Sequence, residues 1–176
     1  MKRRTKALAL SGVLAALAVA LLFLGGVIPL AALALPVLAS LTLLPVYIEC
    51  GTKWGFLWYA SVAILGILLA PEKEAAILFV FFGYYPILRR YFDRIRAAVL
   101  RWCVKLIYLN TAVAAAYGLM IFVFRIGTVA DDFAAAERWM FLALAVLANV
   151  CFAIYDLLLA RLEVFYHVRI RPKLKL

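Results

Sequence analysis

Few side chains in this chain are able to do chemistry in an apolar setting, and they are scattered: Tyr59, Asn110, Tyr117, Asn149 and Asp156. Each stands inside a long hydrophobic stretch. A carboxamide or phenol placed in hydrocarbon must find a hydrogen-bond partner. These groups therefore serve either bonds between helices or a small ligand held among them. Tyr117, Asn149, Tyr59 and Asn110 make up the candidate ligand-binding set, with Tyr117 and Asn149 the more central, and both asparagines are expected to face inward. Asp156 is the one acid deep in an apolar stretch. Its expected partner is a base from the Arg89–Lys105 region, and proton coupling is the alternative.

Several chemistries lack their residues. There is no Gly-x-Ser-x-Gly nucleophile turn, no His-Glu-x-x-His pair and no Gly-x-x-x-x-Gly-Lys-Ser/Thr phosphate loop. The cysteines, Cys50, Cys103 and Cys151, form no Cys-x-x-Cys pair, and His167 is the only histidine. No metal, no cofactor and no enzyme activity are expected from this inventory, and no disulfide.

The elements that must position these residues are hydrophobic helices. Of 176 residues, 69% are hydrophobic, and the mean hydropathy is +1.08. A water-soluble domain carries nearer to about 45–50% apolar residues. The expected fold is all-α: a polytopic membrane protein with six transmembrane helices and both termini cytoplasmic, in one transmembrane domain over residues 1–176. The helices are expected at about 7–24, 31–48, 54–70, 75–88, 102–124 and 139–159. The first apolar run is too long for a signal peptide and reads as a retained helix. Gly25 to Pro29 supplies the first turn, and Pro36 and Pro45 kink the second helix. Glu49 and Lys53 have the spacing of a helical ion pair. Trp54 and Trp58 suit an interfacial aromatic belt, and Gly83-Tyr84-Tyr85-Pro86 reads as a bend.

The longest polar interval outside the ends is the basic connector 89–105, with Arg89, Arg90, Arg94, Arg96, Arg101 and Lys105. Each such cation costs about 2.5–3.5 kcal/mol at the centre of a bilayer, so the connector lies in water or at the surface. Ile95, Val99 and Trp102 alternate with arginines at helical spacing, which suits an interfacial helix. With six helices the basic residues collect on one side, while the turn around Glu72–Glu74 and the loop from Arg125 to Arg138 are net acidic. The positive-inside rule then sets both ends in the cytoplasm of a cell-membrane protein. The net charge of +10 is accounted for by this topology, and no nucleic acid partner is expected.

On the first helix Gly12, Ala16 and Ala20 recur every fourth residue. Such a stripe lets another helix approach closely, either one of the same chain or one of a partner. With Arg89, Arg90 and Arg94 it forms the candidate partner-docking set.

The opening Thr5-Lys6-Ala7-Leu8-Ala9-Leu10, running into Gly12-Val13-Leu14-Ala15-Ala16-Leu17, resembles the start of substrate-binding S components of energy-coupling factor transporters. The length, the six predicted helices and the missing phosphate loop are similar too. The resemblance implies a vitamin-like ligand taken from outside, and docking of a coupling transmembrane subunit on the Ala16/Ala20 surface. It also implies ATPases as energising partners. The chain is similar in size and hydropathy to the six-helix cell-shape subunit MreD as well. That likeness implies a non-transporting scaffold acting through the basic cytoplasmic face.

Overall fold

The computed structural model describes residues 2–28, 34–71, 73–123 and 138–174. The described residues are predominantly helical, and no strand occurs among them. In order they form α1 (Lys2–Gly25), α2 (Ala34–Leu41), α3 (Leu43–Cys50), α4 (Thr52–Leu69), α5 (Lys73–Phe82), α6 (Tyr85–Phe92), α7 (Ala98–Phe122) and α8 (Arg138–Phe165). A π-helical turn, Tyr166–Ile170, and a last short helix, α9 (Arg171–Leu174), follow. Among the described residues, four stretches are long and apolar enough to cross a membrane: Thr5–Gly25, Thr52–Leu69, Ala98–Phe122 and Trp139–Ile170. Pro29, Glu72 and the polar loop of residues 125–137 lie outside the described residues.

Two expected helices are each broken in two. In place of one kinked helix over 31–48, α2 and α3 meet at Thr42. The cause is Pro45, whose ring collides with the carbonyl four residues back, that of Leu41. The α2 helix ends at that residue, and Pro45 falls in the first turn of α3, where no donor is needed. Thr42 bridges the break by donating from Oγ1 to the Ala39 carbonyl at 2.6 Å. The helix expected over 75–88 breaks in the same manner. Pro86 disallows the Phe82 carbonyl, α5 stops at Phe82, and α6 starts at Tyr85. The basic connector 89–105 is consequently not one element. Its first residues end α6, residues 93–97 are non-helical, and Ala98 onward belongs to α7.

The chain divides into two compact units, Met1–Tyr91 with Arg161–Leu176, and Phe92–Ala160. In the first, α1 packs on α2, α3, α4 and α5, and α3 packs on α4. The core of this unit is apolar: Ala18, Leu22, Leu43, Val62, Ile77, Phe79, Tyr85 and Ile87 are essentially inaccessible. Trp58 joins this core instead of an interfacial belt. It is 7% exposed, and its indole N–H donates to the Ser11 carbonyl at 2.8 Å. Trp54, one turn earlier, remains 52% exposed. The expected Glu49–Lys53 pair does not form, because Gly51 adopts φ +89° between α3 and α4 and destroys the helical register. Lys73 closes the other end of α4, donating to the Ile67 and Ala70 carbonyls at 2.8 and 2.9 Å. Those terminal carbonyls have no intrahelical donor.

Close packing of α3 on α4 depends on Gly55, where an added Cβ would stand 2.9 Å from the Tyr47 Cβ and 3.1 Å from Ile87 Cδ1. Gly12 is the contrasting case, with nothing within 4 Å of an added Cβ. Gly55→Val is expected to lower stability by about 1–3 kcal/mol through overpacking. Gly12→Val should stay within about 0.5 kcal/mol of wild type, as surface substitutions do. Thermal unfolding in detergent, followed by circular dichroism, reads both. Equal losses for the two would refute this packing.

Candidate functional site

In α1 the residues split by face. Ala18 and Leu22 are fully buried against the other helices of the first unit. Gly12, Ala16 and Ala20 are all exposed. Leu8 at 49% and Leu24 at 44% exposure continue the same four-residue row on either side. The row therefore has a small-residue centre bracketed by leucines, and no described helix of the first unit covers it. Of the two uses weighed for the stripe, packing on another helix is not realised within the first unit.

Beside Gly12 opens a groove of about 250 Å³ between α1, α3 and α4. Ser11, Gly12 and Ala15 form one wall, Val46 and Cys50 a second, and Trp54, Trp58 and Ser61 the third. Its polar atoms are already engaged: the Ser11 carbonyl accepts from Trp58, and the hydroxyls of Ser11 and Ser61 donate to Leu8 and Leu57 carbonyls at 2.8 and 2.9 Å. The groove is thus apolar in character. It lies below the roughly 300–1,000 Å³ of small-molecule pockets, and its size suits an inserted side chain.

The ligand-binding set is not brought to one place. Tyr59 lies in the first unit, while Asn110, Tyr117 and Asn149 lie in the second. The Tyr59 hydroxyl donates to the Val80 carbonyl at 2.5 Å, and its ring contacts Phe79 and Tyr84 with centroids 5.8 and 5.5 Å apart. Val80 is in the last turn of α5, whose carbonyls lose their donors where the helix breaks. Tyr59 repairs that end.

Asn110 and Asn149 bond to each other, as one of their two expected uses required, but Asn110 is exposed instead of facing inward. The amides exchange bonds of 3.2 and 3.4 Å. Each also donates to its own helix, Asn110 to Leu106 at 2.8 Å and Asn149 to Ala145 at 2.7 Å. An asparagine has two N–H donors, so all four are used within the protein. Tyr117 is half-buried two turns beyond Asn110 on the same face of α7.

Asp156 meets the base expected for it. Lys105 Nζ lies 3.0 and 2.8 Å from the two oxygens of Asp156, and 2.7 Å from Asp93 Oδ1. It also sits 5.6 Å from the Trp102 ring centroid. Lys105 is 2% exposed and Asp156 is 4%. Asp93 is the residue that sequence reasoning missed. It sits in the basic connector, where its charge reads as dilution of the arginines, and only the non-helical turn at 93–97 brings it to Lys105.

Among the docking arginines, Arg89 is engaged inside the first unit, 3.2 Å from Glu163 Oε2, and Glu163 also accepts from the Tyr47 hydroxyl at 3.4 Å. Arg90 and Arg94 are exposed. No family model matches the chain, and neither a curated protein nor a solved structure matches it significantly.

Removing one partner of a buried ion pair costs about 3–5 kcal/mol, whereas replacing both partners is far milder. Lys105→Met should therefore destabilise the protein by about that amount. The double variant Lys105→Met/Asp156→Asn should recover at least half of the loss. Denaturation midpoints of the three proteins in one detergent check this. A double variant weaker than the single would show that the cluster is not held as a pair.

Proposed function

We propose that this chain is a multi-pass docking subunit of the cell membrane, which assembles with a partner membrane protein through the small-residue face of α1. Six hydrophobic segments cross the bilayer in this reading: the four long helices, and the broken pairs α2–α3 and α5–α6. Both ends lie in the cytoplasm with the basic residues. The observation that carries the reading is the exposure of Gly12, Ala16 and Ala20 together, at the centre of an otherwise leucine-rich apolar row. Lipid gains nothing from such a depression. A transmembrane helix with its own small or medium side chains packs into it closely, and in lipid it is close packing that drives association.

The substrate-binding S component is one instance of this reading, in which the docked partner is a coupling subunit and ATPases elsewhere supply the energy. For that instance a vitamin-like ligand would need its own site. Tyr59, Asn110 and Asn149 give it little, because their hydrogen-bond donors are spent inside the protein. The scaffold alternative draws its support from Arg90 and Arg94, which are exposed on the basic connector.

Ala16→Leu/Ala20→Leu fills the depression from outside and touches no buried residue. The variant is expected to keep the wild-type thermal midpoint to within about 2 °C. It should lose the membrane proteins that co-purify with the tagged wild type from its own host in mild detergent, read by mass spectrometry. Retention of the same proteins by the variant would refute docking on α1. Loss on charge reversal at Arg90 and Arg94 alone would transfer the role to the basic connector.

A further inference from the structure

The α3 helix ends in a carboxylate that is almost wholly enclosed. Glu49 has a side chain only 6% exposed, and its Oε1 accepts no hydrogen bond among the described groups. Over the same place lies Tyr166, 3% exposed, whose hydroxyl has the Glu49 carboxylate as its hydrogen-bonding neighbour but makes no bond of good geometry to it. That hydroxyl is within electrostatic reach of Glu49 and of the Cys50 thiol. Arg171 approaches the carboxylate from the water side, with Nε 3.3 Å from Oε1 and a side chain 44% exposed.

Tyr166 and Arg171 are able to address one carboxylate because the helix between them is not an α-helix. At about 100° per residue, positions i and i+5 point about 140° apart. Here the Arg171 N–H donates to the Tyr166 carbonyl, the i→i+5 bond of a π turn. That bond brings the two residues one above the other. The sequence supplies the cause in Pro172. Its ring has no N–H for the Val168 carbonyl and collides with it in a regular helix, and the wider π turn relieves the collision.

We propose that residues 166–174 are a strap, closed over the end of α3 by the Glu49–Arg171 pair and the Tyr166 ring, and poised to open. Two features make closure marginal. The Glu49 oxygen and the Tyr166 hydroxyl give up water without full hydrogen bonding in return, a cost that opening removes. The ion pair that offsets it is half in solvent and correspondingly weak. The preceding helix is held separately, by Glu163 on Arg89 and Tyr47, so the strap opens beyond Tyr166 while its base stays anchored. Cys50, at the end of α3 that the strap covers, lines the groove beside Gly12. Opening therefore frees one wall of that groove. The inference stands whether or not α1 docks a partner, since strap and groove lie in the same unit of the same chain.

Cys50 reports the strap. In full-length protein carrying Cys103→Ser and Cys151→Ser, the rate of alkylation by N-ethylmaleimide measures its exposure. Arg171→Gln is expected to raise that rate on the order of fivefold, because modification follows the open population. The sign is informative: removing a cation disfavours the reactive thiolate, so only greater exposure produces an acceleration. Pro172→Ala should accelerate the reaction too, since the turn reverts to α and carries Arg171 off Glu49. Arg161→Gln, an exposed charge of the same sign outside the cluster, should leave the rate unchanged. A wild-type rate in Arg171→Gln would overturn the strap, and so would an equal rise in Arg161→Gln. A rise in Arg171→Gln with none in Pro172→Ala would overturn the role given to the π turn.

Discussion

A proline ring inside a helix collides with the carbonyl four residues before it, and at three places in this chain that collision decides the architecture. Pro45 ends α2 at Leu41, Pro86 ends α5 at Phe82, and Pro172 opens a π turn across Val168. Each break then leaves backbone groups that must be served by something else. Thr42 serves the first with its own hydroxyl, and Tyr59 serves the second from a neighbouring helix. The third is served by re-registering the helix itself. Much of the polar chemistry in the first unit is thus repair of helices that prolines have cut, which is what an apolar surrounding demands of every freed carbonyl.

The ionised groups obey the same demand at higher stakes. Lys105 is enclosed between Asp156 and Asp93, and Glu163 is shared by Arg89 and Tyr47. These arrangements satisfy charges that an apolar interior would not tolerate alone. Glu49 is the one among them whose hydrogen bonding is incomplete, and its counter-ion, Arg171, is half in solvent. Instability is concentrated there, and with it the capacity to change shape.

The division between used and unused surface follows. Side chains that carry hydrogen-bond donors, Tyr59, Asn110 and Asn149 among them, are consumed by the protein's own backbone or by each other. The row that α1 leaves uncovered in the first unit, from Leu8 to Leu24, carries no polar side chain: glycine and alanine stand between leucines. A partner of such a surface would have to recognise it by shape, since the row offers neither charge nor hydrogen bonding.

The sequence by itself determined the all-α class and the apolar runs, because hydropathy and the lack of strand-forming alternation are local properties. It also determined that Asp156 needs a basic partner, because one acid in a long apolar helix has no other resolution. Proline positions made both helix breaks readable as kinks. Whether a kink becomes a full break depends on what neighbour satisfies the freed carbonyl, and that neighbour is distant in sequence. Only the tertiary structure decided that Lys105 is the base and Asp93 its second acid, that Glu49 turns from Lys53 to Arg171, and that Trp58 is core while Trp54 is exposed. It alone also decided which face of α1 is left bare. The physical reason is the same in each case: periodicity states which residues share a helix face, but only packing states what that face meets.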